Sequence, residues 1–147
     1  VSSKPLRPTI VYAGGTFDLF HAGHVEFLRR ASLIGPVVVG LNSDEFAARY
    51  KRKPIMSYEE RRIVLASCKH VSRVIRNIGD EDSRPAILSS GATVIVHGDD
   101  WTGESLTRQL GVSDQWLDDH GIELRYLPYS PLCTTTEVIE RCRRSPR

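Results

Sequence analysis

Short β-branched runs alternate with longer amphipathic stretches along this chain, and that alternation limits the possible folds more than any other feature. Thr9-Ile10-Val11-Tyr12-Ala13 reads as a first strand, and residues 37–41, 73–78, 93–96 and 123–127 as four more. Val37-Val38-Val39 opens a segment that is almost wholly apolar, the pattern of a strand covered on both faces. Between the strands, Val25, Leu28 and Ala31 share one side of a helix over 23–33. Ser57-Tyr58-Glu59-Glu60 opens another with a capping box, in which the Ser oxygen and the Glu side chain satisfy free amides. Further helices are expected over 83–90, part of 104–119, and 134–144. Strand, helix, strand, helix throughout implies a single α/β domain, a five-stranded parallel sheet with helices on both faces. With 147 residues there is room for one such domain, expected over 9–144 after an arm at 1–8 and before a short tail at 145–147. No repeat, low-complexity segment or internal linker interrupts it.

Charge and cysteine usage narrow the function. Twenty Lys and Arg against eighteen Asp and Glu leave +2, which argues against a general nucleic-acid or membrane-surface binder. The apolar runs fall far short of the roughly 20 residues that span a bilayer, and residues 1–8 carry no charged-then-apolar leader. Cys68, Cys133 and Cys142 are odd in number and lack metal-type spacing, so free thiols in a cytoplasmic setting are expected. Cys68 and Cys142 read as buried or half-buried small hydrophobes.

In parallel sheets ligands sit outside the carboxyl ends of the strands, so the loops leaving each strand are where function is sought. The first, Gly14-Gly15-Thr16-Phe17-Asp18-Leu19-Phe20-His21-Ala22-Gly23-His24, carries the strongest signal. Its glycines suit a sharp turn and a close approach to a ligand. His24 falls in a helix's first turn, where free amides and the dipole favour phosphate, and His21 sits three residues before it. Two imidazole donors and a helix N-terminus at one spot make a cradle for a phosphoryl oxygen. The spacing is neither G-x-G-x-x-G nor a Walker A loop. Read alone, the two histidines could instead be ordinary loop and cap residues or a zinc pair, although no third and fourth ligand has recognisable spacing.

Gly15-Thr16-Phe17-Asp18 followed by His21-Ala22-Gly23-His24 resembles the G-x-F-D-x-x-H-x-G-H signature of the cytidylyltransferase-like nucleotidyltransferases. The resemblance runs from about Ile10 to Cys142 and implies a Rossmann-like domain. Asn42-Ser43-Asp44-Glu45-Phe46, the basic run Lys51-Arg52-Lys53 and Ser57-Tyr58-Glu59-Glu60-Arg61 are similar to successive family segments. Gly98-Asp99-Asp100-Trp101 looks like the Gly-Asp-Asp-Trp of glycerol-3-phosphate cytidylyltransferases. Cys133-Thr134-Thr135-Thr136 is similar to the end of R-T-x-G-I-S-T-T. The resemblance implies His21, His24 and Lys53 as catalytic residues, with Lys51 the next choice for the cation; the ungapped register puts Arg52 nearest the family's second lysine. It implies nucleotide binding by Gly15, Thr16, Phe17, Gly23, Arg61, Asp100, Thr134, Thr135 and Thr136, and acceptor binding by Asp18, Lys51 and Arg84. It also implies Mg²⁺, a nucleoside triphosphate and a small phosphorylated acceptor as ligands, and a homodimer.

Read blandly, the same residues have other uses. Lys51-Arg52-Lys53 could be a solvated loop, Arg61 a helix-surface charge, Asp99 and Asp100 turn residues, and Thr134 to Thr136 helix caps. Three departures from the family pattern stand out. Tyr129-Ser130 replaces Arg-Thr, Pro131-Leu132 replaces an acidic residue and glycine, and the 102–121 segment is longer than in glycerol-3-phosphate enzymes and resembles the longer connection in heptose-phosphate adenylyltransferases. Arg84 and Arg125 are the candidates to replace the lost charge. Three functions follow: a cytidylyltransferase acting on glycerol 3-phosphate or a similar polyol phosphate, an adenylyltransferase acting on a sugar phosphate, or a silent nucleotide-binding module. His70, His97 and His120 receive no role, and Trp116 is read as lying on a helix face.

Overall fold

The computed structural model describes residues 7–98, 110–128 and 133–144. Among them lie five strands, β1 (Val11–Gly15), β2 (Val37–Leu41), β3 (Arg73–Arg76), β4 (Val94–Gly98) and β5 (Glu123–Leu127). The described helices are α1 (Ala22–Ser32), α2 (Asp44–Tyr50), α3 (Tyr58–Ala66), α4 (Arg84–Ser90), α5 (Asp114–Asp119) and α6 (Thr135–Arg144). All strand pairs are parallel, in the order β3-β2-β1-β4-β5. The sheet therefore grows one way from β1 through β2 to β3 and the other way through β4 to β5. The reversal between β1 and β4 leaves a crevice at their carboxyl ends.

Side-chain alternation sorts the core into two layers. Val11, Ala13, Val37 and Val39 bury one face of the sheet against Leu28 and Ala31 of α1 and Leu65 of α3. Tyr12 and Ile95 bury the other against Ala86 and Ile87 of α4 and Leu117 of α5. Helices on both faces, as expected, follow from this alternation. The Tyr12 ring lies across the backbone of β2, where a Cβ at Gly40 would come within 2.0 Å of its hydroxyl.

Several boundaries differ from expectation for identifiable reasons. β1 starts two residues later than predicted and continues through Gly14-Gly15, which pair with Gly40 and Leu41 of β2. These glycines thus extend the strand and do not make the turn. β4 runs on through His97 and Gly98 because both pair with β5, opposite Tyr126 and Leu127. β3 stops at Arg76, and the side chain of Asn77 turns instead to Asn42 Oδ1 and the Asp80 carbonyl, 3.0 Å from each. α2 is not among the expected helices; the Ser43 hydroxyl caps it by accepting from Phe46 N at 3.1 Å. The predicted capping box on α3 forms, with Ser57 and Glu60 as the reciprocal pair. Arg7, from the N-terminal arm, donates to the His120 and Gly121 carbonyls just beyond α5. Cys142, expected to be at least half-buried, is exposed on α6, while Cys68 and Cys133 are half-buried; all three are free thiols. Trp116 is half-buried against the second core layer and packs on His120, with ring centroids 4.4 Å apart.

Candidate active site

The turn from β1 into α1 is made by non-glycine residues. Phe17 and Leu19 take left-handed backbone angles, φ 51° and 53°, conformations that cost side-chain-bearing residues free energy. Phe17 offsets that cost by burying its ring in the first core layer. His21 then caps α1. Its Nδ1 accepts from Gly23 N at 3.1 Å, while His24 Nδ1 accepts from His21 N at 3.2 Å, so a capping box is built from two imidazoles. Each Nδ1 faces an amide donor and must be unprotonated, which leaves the proton of each neutral ring on Nε2. The rings stack at 3.7 Å between centroids, and His24 also lies against Phe20 and Phe17. Burial lowers the pKa of His24 to about 3, with repulsion from His21 adding to it. Burial also lowers that of His21, against a smaller opposing pull from Glu137. Both rings are therefore neutral donors at physiological pH.

A second helix start meets the first. Thr134 caps α6 by accepting from Glu137 N at 3.1 Å. The Thr135 hydroxyl donates to the Asp18 carbonyl at 3.1 Å and so accepts from His21 Nε2, also at 3.1 Å. Gly23 permits this approach, because a Cβ there would come within 2.3 Å of the Cys133 carbonyl oxygen. The glycine of the motif is thus required by helix packing.

Asp18 ties in the basic loop. It is only 5% exposed, and its two carboxylate oxygens accept from Ile55 N at 2.8 Å and Met56 N at 2.9 Å. Expected as an acceptor-binding residue, it is instead occupied in holding the chain that follows Lys51-Arg52-Lys53. Arg61 corrects expectation in the same way. It points inward, but at 1% exposure it faces protein and not ligand. Its guanidinium donates to the carbonyls of Thr16, Asn42 and Met56 and pairs with Asp44 Oδ1 at 2.6 Å. It braces the loops after β1 and β2.

These elements enclose a cleft of about 460 Å³ over the ends of β1, β4 and β5. Gly15, Phe17, His21, Gly23 and His24 line it from one side and Thr134, Thr135 and Thr136 from the other. Lys51 lines both this cleft and an adjoining pocket of about 130 Å³, which Thr16, Asp18 and Arg52 share. Lys53, the expected catalytic cation, is exposed and lines neither. Among the described lining residues of the cleft, Lys51 is the one Lys or Arg, and no Asp or Glu is present.

Neither proposed substitute for the missing arginine reaches the cleft. Arg84 forms a bidentate pair with Asp82 at 2.8 and 2.9 Å, and Arg125 pairs with Glu123 near the opposite, amino-terminal ends of the strands. Asp99, Asp100, Trp101 and the departures at Tyr129, Ser130, Pro131 and Leu132 lie outside the described residues. Sequence reasoning gave His97 no role, yet it lines the cleft beside Gly98. Its place next to last in β4, at the reversal of strand order, is the signal that marks it. Cys133 and Phe27 also line the cleft.

Residues 12–141 match the model of a family described as cytidylyltransferase-like. The chain is similar to the glycerol-3-phosphate cytidylyltransferase of Bacillus subtilis, 34% identical over 136 residues that cover 92% of this chain and 96% of that protein. It is also similar to the FAD synthase of Archaeoglobus fulgidus, 35% identical with 88% and 93% covered. Among solved structures, a lipopolysaccharide core biosynthesis protein from Thermoplasma volcanium superimposes with a TM-score of 0.68, covering 84% of this chain and 97% of its own, at 23% identity. That likeness speaks to the fold.

Proposed function

The chain belongs to the cytidylyltransferase-like family and is a nucleotidyltransferase; from that premise we propose that it moves CMP from CTP onto a small phosphorylated alcohol such as glycerol 3-phosphate. The observation that carries the reading is the pair of neutral imidazoles whose Nε2 protons are fixed by capping bonds, set against the start of α6 in a cleft without a described carboxylate. Such a site holds polyanions through dipoles and preorganised donors.

In this reading a non-bridging oxygen of the acceptor phosphate attacks the α-phosphorus in line. The new P–O bond forms as the bond to the α–β bridging oxygen breaks, and pyrophosphate leaves with the electron pair. The attacking oxygen is already ionised, so no general base is needed and catalysis reduces to positioning and charge stabilisation. His21 and His24 donate from Nε2 to phosphate oxygens, with His21 releasing Thr135 as the phosphate arrives. Gly15, Phe17 and Gly23 shape the wall, and Thr134 to Thr136 supply hydroxyls and amides. In this reading Lys51, which lines the cleft, supplies the cation that stabilises the pentacoordinate centre, and Lys53 adds a further positive charge on the same loop.

Among the described residues no three His, Cys, Asp or Glu side chains gather to hold a metal. Magnesium enters this reading with the nucleotide, as Mg·CTP. The reading also includes a homodimer, to be checked by light scattering, and a cytoplasmic setting, consistent with three free thiols. Among the described residues no helix is long and apolar enough to cross a membrane.

Pyrophosphate release measured with CTP or ATP, Mg²⁺ and a panel of polyol and sugar phosphates tests the reading. Release that needs CTP and glycerol 3-phosphate together is the expected result. Release with ATP and a sugar phosphate alone would reassign both substrates.

A further inference from the structure

Alternation along the strands gathers polar side chains beside the cleft. On the face of the sheet that carries the second core layer, Tyr12, Ile75 and Ile95 are followed two residues later by Gly14, Asn77 and His97, and Gly40 by Asn42. Asn42 N and Asn77 N carry the strand pairing one step further, donating to the Gly15 and Leu41 carbonyls. Gly14, Asn42, Asn77 and His97, with Ser83 just ahead of α4, line a recess of about 20 Å³. That is room for one water molecule or one hydroxyl group. Gly14, Gly15 and His97 line the cleft as well, so the recess adjoins it.

Asn77 gives the recess its chemistry. It is only 2% exposed, and its Nδ2 donates to Asn42 Oδ1 and to the Asp80 carbonyl. A backbone carbonyl can only accept, so the carboxamide has one orientation. Its Oδ1 is thereby left buried with no hydrogen-bond partner. The Tyr12 hydroxyl, close to Gly14 and Gly40, is a second such group, and burial raises its pKa so that it keeps its proton. Buried acceptors are normally met by a donor. Among the described residues no Lys, Arg, Asp or Glu lines the recess, so an ammonium or a phosphate would enter it unpaired. A neutral O–H group satisfies Asn77 Oδ1 without bringing charge.

We propose that the recess recognises a hydroxyl of the acceptor: Asn77 Oδ1 accepts from the bound polyol phosphate, and a water molecule takes that place in the free protein. The proposal rests on the polyol-phosphate reading of the cleft. It adds the residue that tells a polyol from an alkyl chain or an amino alcohol. Propyl phosphate would leave Asn77 Oδ1 unpaired, and ethanolamine phosphate would bring a cation with no carboxylate to meet it.

Turnover of glycerol 3-phosphate, propyl phosphate and ethanolamine phosphate with Mg·CTP gives the first test. kcat/KM should be at least about tenfold lower for the second and third, the scale of one buried hydrogen bond. Asn77→Leu should raise KM for glycerol 3-phosphate about tenfold, keep kcat within about threefold, and cut the preference over propyl phosphate to about twofold. Equal use of propyl or ethanolamine phosphate by the parent overturns the proposal, and so does the parental preference in Asn77→Leu. That variant also loses the two bonds made by Nδ2, so crystal structures of the parent supply a readout that needs no substitution. In the free protein a water should lie within about 3.2 Å of Asn77 Oδ1, and with glycerol 3-phosphate bound a hydroxyl oxygen should replace it. An empty recess, or a water that stays while the acceptor's hydroxyls lie elsewhere, overturns the proposal. A parent that turns over no polyol phosphate refutes the substrate reading itself, which no result at Asn77 alone can do.

Discussion

Adding a single methyl group to Gly23 should separate the two helix starts that meet in the cleft. In Gly23→Ala the new Cβ would lie 2.3 Å from the Cys133 carbonyl oxygen, whereas ordinary contact begins near 3.4 Å. α1 and residue 133 must therefore part by about 1 Å, or α1 must tilt by an equivalent amount. The Thr135 hydroxyl, now 3.1 Å from His21 Nε2, would move beyond hydrogen-bond range. Helix propensity favours alanine by up to about 1 kcal/mol, and overpacking costs about 1–3 kcal/mol, so the net destabilisation should lie within about 3 kcal/mol. Turnover should fall far more, by about 10²-fold, the usual penalty for misplacing a catalytic constellation by an ångström. Urea unfolding and pyrophosphate release on the same preparations separate the two effects. A Gly23→Ala protein with parental turnover would refute the claim that this contact sets the site.

His21→Ala and His24→Ala should each lower kcat by about 10² to 10³ while the protein still folds, as read by pyrophosphate release and circular dichroism. Asp18→Asn turns an amide NH₂ toward a backbone N–H that the carboxylate now satisfies, so a stability loss of about 2 kcal/mol is expected in urea titration, with turnover falling as the Lys51 loop loosens. Arg61→Met leaves Asp44 and three carbonyls without their donor, and should cost about 3–5 kcal/mol of stability by the same titration. The lowered pKa of His24 makes stability depend on pH in a defined sense. The unfolded chain takes up the proton as pH falls through 6.5, while the folded protein takes it up only near 3, so stability is full above 6.5 and declines across that window. His24→Asn should flatten that part of the decline, and an identical pH profile in the two proteins would show that His24 is not buried neutral.

The sequence yields local features readily and long-range destinations poorly. The strands at 37–41 and 123–127 and the Ser57–Glu60 box depend on neighbouring residues, and they appear where pattern places them. The His21–His24 pair was legible because its motif lies within four consecutive residues. α2 was missed because its seven residues bury only Phe46 and Ala47, too little for a visible period. Gly14-Gly15 looked like a turn, since nothing local reveals that β2 continues the pairing beside them. The charges were hardest to place. The charged groups of Arg61, Asp18 and Arg84 have partners 2 to 45 residues away, and only the assembled fold decides whether a charge meets a ligand, a carbonyl or solvent.

Asp18, Thr135 and His21 form a knot: the first accepts from the basic loop through its carboxylate and from α6 through its carbonyl, and α6 in turn accepts from the imidazole. Three segments distant in sequence are thereby set with respect to one another before any ligand binds. His97 and Gly98, at the end of β4, line the same cleft. A ligand entering the cleft therefore meets donors already ordered, and little of its binding energy is spent on setting them in place.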